Sequence, residues 1–254
     1  MKFAILAAGE GSRLAEEGIQ EPKPLVPLLG ERLVDRLIRI FRECGADEVV
    51  IITNNLSPLT REHLWTLQAQ GVPLKVVVKT TPSSMHSFYE LMPLLGTGKF
   101  ILTTVDTVFR EVEFRHYAEA FQAADDVDGM MAVTDYVDDE KPLWISTTDD
   151  LGITGFHDSP ELFRKSGVQG ELRYISGGIY GLSDKCFPTL RRCIEGGQSR
   201  MRNFQRALVA DGMRLRAFPF SKILDVDHAS DIRKAEVFVK ESSPSEELEE
   251  ALKQ

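Results

Sequence analysis

The chain has 254 residues, of which 43% are hydrophobic and 27% charged, and its formal net charge is −9. That length and mix suit a globular α/β protein with a sizeable core, and the acidic balance excludes the broad basic face that nucleic acid or an anionic membrane requires. Three cysteines, Cys44, Cys186 and Cys193, are too few and too scattered for a disulfide framework or a zinc site, so a reducing, cytoplasmic setting is expected.

The first apolar run stops at Ala8, and Glu10 and Arg13 follow at once, which is too short for a secretory leader. No later run approaches the roughly 18 apolar residues of a membrane span. Residues 3–8, 48–53, 74–80 and 99–105 are bounded, mostly apolar runs that predict buried strands. Between them, 32–44, 60–70 and 85–95 carry apolar residues at three- and four-residue spacing, which predicts amphipathic helices, with Gly45 and Gly71 as end caps. Strand and helix alternating in this way predict right-handed crossovers in a parallel sheet, with ligand at the carboxyl ends of the strands.

In the second half, 130–137, 143–148, 153–157, 172–182 and 215–220 read as strands. Helices are expected near 185–195, 201–210 and 231–240, with Cys186 and Cys193 facing the core. No repeat or linker divides residues 1–240, which read as one domain. From 241 to 254 the chain is acidic and lacks aromatics, which predicts a flexible tail.

Leu6-Ala7-Ala8-Gly9-Glu10-Gly11-Ser12-Arg13 follows the first strand. Glycines there let the backbone turn sharply and present N–H groups to a polyphosphate; Ser12 adds a hydroxyl and Arg13 a planar fork. The third glycine of a dinucleotide fingerprint would stand at Leu14, and the Lys-Ser/Thr ending of a Walker loop is missing. Shortly after, Pro22-Lys23-Pro24 fixes an extended path around a lysine suited to a phosphate contact.

Asp106 closes a predicted strand and so faces the ligand crevice, as a metal-binding carboxylate should. Asp225 and Asp227 alternate along an extended segment and point to the same side, where two carboxylates repel unless a cation intervenes. Asp231 reads as a helix N-cap. The hydroxyls of Thr81-Pro82-Ser83-Ser84-Met85-His86-Ser87 precede a helix and suit either capping or a nucleoside. Ser176-Gly177-Gly178 places glycines inside a strand, the mark of a ligand's close approach or of a bulge.

LAAGEGSRL and EPKPLVPLLGERLVDRLI together resemble the opening signature of the nucleotidyltransferases that include the sugar-nucleotide pyrophosphorylases. The resemblance runs from Met1 to Lys240 and is strongest as far as Asn55. It implies a Rossmann-like three-layer α/β/α fold with a mixed, mainly parallel sheet. It also implies transfer of a nucleoside monophosphate from an NTP to a small phosphorylated acceptor, foremost a sugar 1-phosphate, with release of pyrophosphate. By resemblance Ala8, Gly9, Gly11, Ser12 and Arg13 cradle the phosphates, and Arg13 and Lys23 oppose charge developing at the α-phosphate. Asp106 and Asp227, with Asp225, would hold Mg²⁺. Ser84 and His86 would border the base. Gly177 and Gly178 would line the acceptor pocket, and Arg173 would contact the acceptor phosphate.

The chain departs from the family pattern in several places. Val105 precedes Asp106 where relatives have glycine, His228-Ala229-Ser230 replace Thr-Pro-Glu after Asp227, and Ser159 stands for the lysine of a Glu-Lys-Pro motif. Cytidylyl transfer to a phospho-alcohol such as phosphocholine or an inositol phosphate, guanylyl transfer to a cofactor, and a non-catalytic nucleotide-binding role remain alternatives. The base, the acceptor and the oligomeric state are not written in the sequence.

Overall fold

A computed structural model describes residues 1–241; apart from Glu241, the tail expected over 241–254 lies outside the described residues. The chain opens on β1 (Lys2–Ala7), turns through the glycine loop into the short helix α1 (Ser12–Glu16), and passes a 3-10 turn at Lys23–Leu25. The two-residue strands β2 (Pro27–Leu28) and β3 (Glu31–Arg32) pair before α2 (Leu33–Glu43). Then come β4 (Val49–Thr53), α3 (Pro58–Ala69), β5 (Leu74–Val78), α4 (Ser84–Leu95) and β6 (Lys99–Thr104), each close to its expected bounds. β6, β1, β4 and β5 lie side by side in that order, all parallel. Every side chain of β4 is buried, as in a strand covered on both faces.

After β7 (Thr107–Val108) and α5 (Glu111–Ala123), the chain forms β8 (Gly129–Thr134), β9 (Trp144–Thr147), β10 (Ile153–His157), α6 (Pro160–Ser166) and the long β11 (Glu171–Ser183). The helices α7 (Phe187–Glu195) and α8 (Met201–Ala210), the strands β12 (Leu215–Phe220) and β13 (Leu224–Asp225), and α9 (Ala229–Lys240) complete the described fold. β11 runs antiparallel to β6, β8 and β9, and so joins the parallel half to an antiparallel half in one mixed sheet.

Alternation along β1 builds the layers. Ala4 and Leu6 face α4, α7 and α8 through Phe88, Leu190 and Phe204, whereas Phe3, Ile5 and Ala7 face α2, α3 and α5 through Phe41, Leu64 and Phe114. Each ring fully withdrawn from water contributes on the order of 2–3 kcal/mol. A third cluster of Leu14, Val26, Leu28, Val226 and Phe238 packs α1 and the segment after the 3-10 turn against β13 and α9, which brings an early and a late stretch of the chain together.

Gly45 and Gly71 cap α2 and α3 as expected. Each has positive φ, and the turn around each sends two N–H groups back to carbonyls of the last helical turn. Cys186 and Cys193 are buried and unpaired. Among the described residues no helix is long and apolar enough to cross a membrane.

Candidate active site

β1 and β6 are parallel neighbours at the point where strand order reverses, so a crevice opens beyond their carboxyl ends. The glycine loop leaves β1 there and Asp106 follows β6. Gly11 has φ +65°, and a Cβ on it would stand 3.0 Å from the Lys23 Cβ, so conformation and close approach both demand glycine. Buried Asn54, just past β4, donates from Nδ2 to the carbonyls of Ala8 at 3.2 Å and Gly9 at 3.0 Å, pinning the loop.

The Lys23 ammonium lies between two carboxylates. It contacts Asp106 and, at 2.7 Å, Asp227 Oδ1, with only 10% of its side chain exposed. Burial alone would lower the lysine's pKa, but Asp106 and Asp227 outweigh it and hold the pKa above its ordinary value. Arg13 Nη1 donates to the other Asp227 oxygen at 2.9 Å. Burial opposes ionisation of Asp227, but Lys23 and Arg13 keep its carboxyl below the usual range.

A two-residue antiparallel pairing positions these acids. Asp225 pairs with Thr107, and the Val226 N–H donates to the Asp106 carbonyl at 3.0 Å. Thr107 Oγ1 donates to Asp225 Oδ1 at 3.3 Å and meets Thr104 Oγ1 at 2.7 Å. Asp225 keeps a solvent-exposed edge, yet its carboxyl is largely withdrawn from water; that loss of hydration and then the nearby Asp106 raise it well above the ordinary carboxylate value. Asp231 Oδ2 accepts from the backbone of Asp227 and His228; it caps α9 as the N3 member of a capping box whose N-cap is His228, and is not itself the N-cap expected, because the helix begins two residues earlier.

Among the described residues no three His, Cys, Asp or Glu side chains stand in metal-holding geometry. The ammonium of Lys23 takes the place between Asp106 and Asp227. The donor chemistry is of the kind magnesium takes, since Asp106, Asp225 and Asp227 bring hard carboxylate oxygens to one edge.

Two cavities meet at this edge. Ala8, Gly9, Gly11, Ser12, Lys23, Ser84 and Asp106 line the first. The second, about 410 Å³, is walled by Tyr136, Asp139, Glu140, Ser176, Gly177, Asp225 and His228. Arg13 and Asp227 line both.

Three expected residues sit elsewhere. His86 is outside the lining of both cavities and holds Ser83 Oγ through Nδ1 at 2.9 Å. Arg173 pairs with Asp135 at 3.1 Å and stacks on Tyr174, so its guanidinium is engaged outside the lining of both cavities. Gly178 has φ +71° where the β11–β8 register slips, and a Cβ there would meet Thr107 Oγ1 at 3.2 Å; it is a backbone requirement of the bulge.

Sequence reasoning passed over other residues. Asn54 gave no local signal, because its partners are carbonyls far along the chain. Arg200 holds φ +71° and donates its N–H to Ser83 Oγ at 3.2 Å, beside the first cavity. A left-handed arginine has no sequence signature.

The family model described as the MobA-like NTP transferase domain matches residues 3–211. The CMP-5'-(3-aminopropyl)phosphonate synthase of Streptomyces rubellomurinus is 29% identical over 161 residues, 56% of this chain but 25% of that protein, so the match spans a quarter of the relative's length. The N-acetylmuramate alpha-1-phosphate uridylyltransferase of Caulobacter vibrioides is 25% identical over 222 residues, 82% of this chain and 84% of the relative. Among solved structures, the inositol-1-phosphate CTP transferase from T. maritima superposes with a TM-score of 0.75 at 18% identity, covering 95% of this chain and 96% of that one, a likeness of fold.

Proposed function

This chain belongs to the MobA-like NTP transferase family, and we propose that it moves a nucleoside monophosphate from an NTP onto a sugar 1-phosphate, releasing pyrophosphate. The observation that carries the reading is the shared wall: Arg13 and Asp227 line both cavities, so a triphosphate in one and an acceptor phosphate in the other would meet there.

The glycine loop and Ser12 hold the triphosphate, and Arg13 and Lys23 turn from their carboxylates to the α-phosphate. An oxygen of the acceptor phosphate attacks the α-phosphorus; the new P–O bond forms as the bond to the bridging oxygen breaks, and pyrophosphate leaves with that electron pair. The nucleophile is already an anion at neutral pH, so no general base is needed. Alignment and charge neutralisation by Arg13 and Lys23 do the work. Magnesium, held by Asp106 with Asp227 and Asp225, would supply positive charge against the phosphate oxygens. Lys141 and Lys234 line the acceptor cavity and supply positive charge that Ser159, which caps α6, does not.

A second reading has its own support. Asp139 and Glu140 form an acidic wall of the acceptor cavity that suits an acceptor bearing an ammonium group, whereas the Tyr136 ring already carries Lys222 Nζ at 4.1 Å. An amino- or quaternary-ammonium alkyl phosphate would then replace the sugar.

Purified protein incubated with each NTP, Mg²⁺ and a panel of sugar 1-phosphates and aminoalkyl phosphates, followed by pyrophosphate release, tests both readings. Turnover with a sugar 1-phosphate is the expected result. Turnover with aminoalkyl phosphates alone would replace the first reading with the second, and silence across the panel would overturn both.

A further inference from the structure

We propose that Glu17 is a positioning residue that fixes the phosphate-loop helix α1 against the segment carrying Asp225 and Asp227. The proposal rests on the nucleotidyl-transfer reading.

Glu17 directly follows α1, one helical turn beyond Arg13. Its Oε1 accepts from His228 Nδ1 at 2.6 Å, and its Oε2 accepts from the backbone N–H of Ala229 at 2.6 Å. One turn earlier, Arg13 holds Asp227. Two successive levels of α1 therefore grip the same short segment, which Asp231 anchors from the α9 side.

The two levels differ in what substrate does to them. Arg13 and Lys23 must exchange Asp227 for phosphate oxygens when an NTP enters. Glu17 itself lines neither cavity, although its partner His228 walls the second, so a triphosphate in the first cavity does not compete for its carboxylate. The Glu17 contacts keep the loop and the Asp225–Asp227 edge in register while the ionic ties between them change partners. With side chains 39% and 33% exposed, the Glu17–His228 pair contributes little to overall stability, so its effect falls on alignment.

Glu17→Ala and Glu17→Gln test the idea by steady-state kinetics and by hydrogen exchange without substrate. The alanine variant should lose about tenfold in kcat with NTP KM within about twofold, because the loop still binds phosphate while its alignment with the acceptor slackens. Glu17→Gln, whose amide oxygen still accepts from Ala229, should recover most of that loss. In exchange, Glu17→Ala should lose protection at residues 225–229 and, in step, at residues 9–13. Deprotection confined to residues 228–229, an unchanged kcat, or outright unfolding of Glu17→Ala would each overturn the proposal. If the wild-type protein turns over no NTP and acceptor pair, the proposed reaction fails, and the exchange pattern still decides the clamp.

Discussion

Arg13 and Asp227 form an ion pair at 2.9 Å that lines both cavities of the site at once. Residues 214 positions apart meet because α1 packs on β13 and α9 through Leu14, Val226 and Phe238. Charge of both signs holds the empty cluster together and, on the proposed reading, would be divided between phosphate and magnesium on filling.

Lys23 is the cation most enclosed in this cluster. Lys23→Ala and Asp106→Asn, assayed with saturating Mg²⁺, should each lose about 10²–10³ in kcat, roughly 3–4 kcal/mol of transition-state stabilisation. Near-normal turnover in either purified variant would remove the role assigned to that residue.

Asn54 supports the loop from outside the lining of both cavities. Asn54→Ala leaves the Ala8 and Gly9 carbonyls and the Leu56 N–H without their partner, which should cost about 1–3 kcal/mol in urea unfolding. The NTP KM should rise at the same time. A stable variant with normal KM would mean the loop holds its shape unaided.

Arg200 keeps a backbone conformation that L-residues rarely adopt. Arg200→Gly should gain about 1 kcal/mol over Arg200→Ala in thermal unfolding, because only glycine relieves the strain without keeping a Cβ. If both substitutions change stability equally, the strain is not stored at this residue.

Asp128 ties β12 and α7 to the strand β8 that follows it. It accepts from the Arg214 side chain and backbone and from Lys185, and these bonds, Arg214 foremost, hold its carboxyl below the usual range. A depressed folded pKa means stability present above the unfolded value of about 3.9 and lost as pH falls through the folded one. Asp128→Asn should therefore be less stable than wild type by about 1 kcal/mol at pH 7, with the gap closing below about pH 3.9 in urea titrations. A gap that is constant with pH would exclude the linkage.

The parallel half of the sheet was legible because β1, β4 and β6 are short apolar runs with no polar alternation, separated by helices of clear period. The glycine loop and the acids were legible because each carries its reason locally, a turn or a strand end; the prolines flanking Lys23 marked a fixed path, but it is a 3-10 turn from Lys23 to Leu25 and not the extended one expected, since a φ of about −65° suits both. α5 went unread although Phe114, Tyr117, Ala118 and Phe121 keep helical spacing. The pairing of β7 with β13 was not legible, since two residues on each side have no period and are held by partners far along the chain. For the same reason the engagement of Arg173 with Asp135 and of His86 with Ser83 lay beyond sequence, as did the part of the second cavity lined by Tyr136, Asp139 and Glu140.

A crystal structure with Mg²⁺ and a non-hydrolysable NTP analogue tests the central claim most directly. The triphosphate should lie along residues 8–13, with Lys23 withdrawn from Asp106 and its ammonium on the α-phosphate at the junction bounded by Arg13 and Asp227. A triphosphate bound elsewhere, or Lys23 still clasped between Asp106 and Asp227 with nucleotide in place, would contradict it.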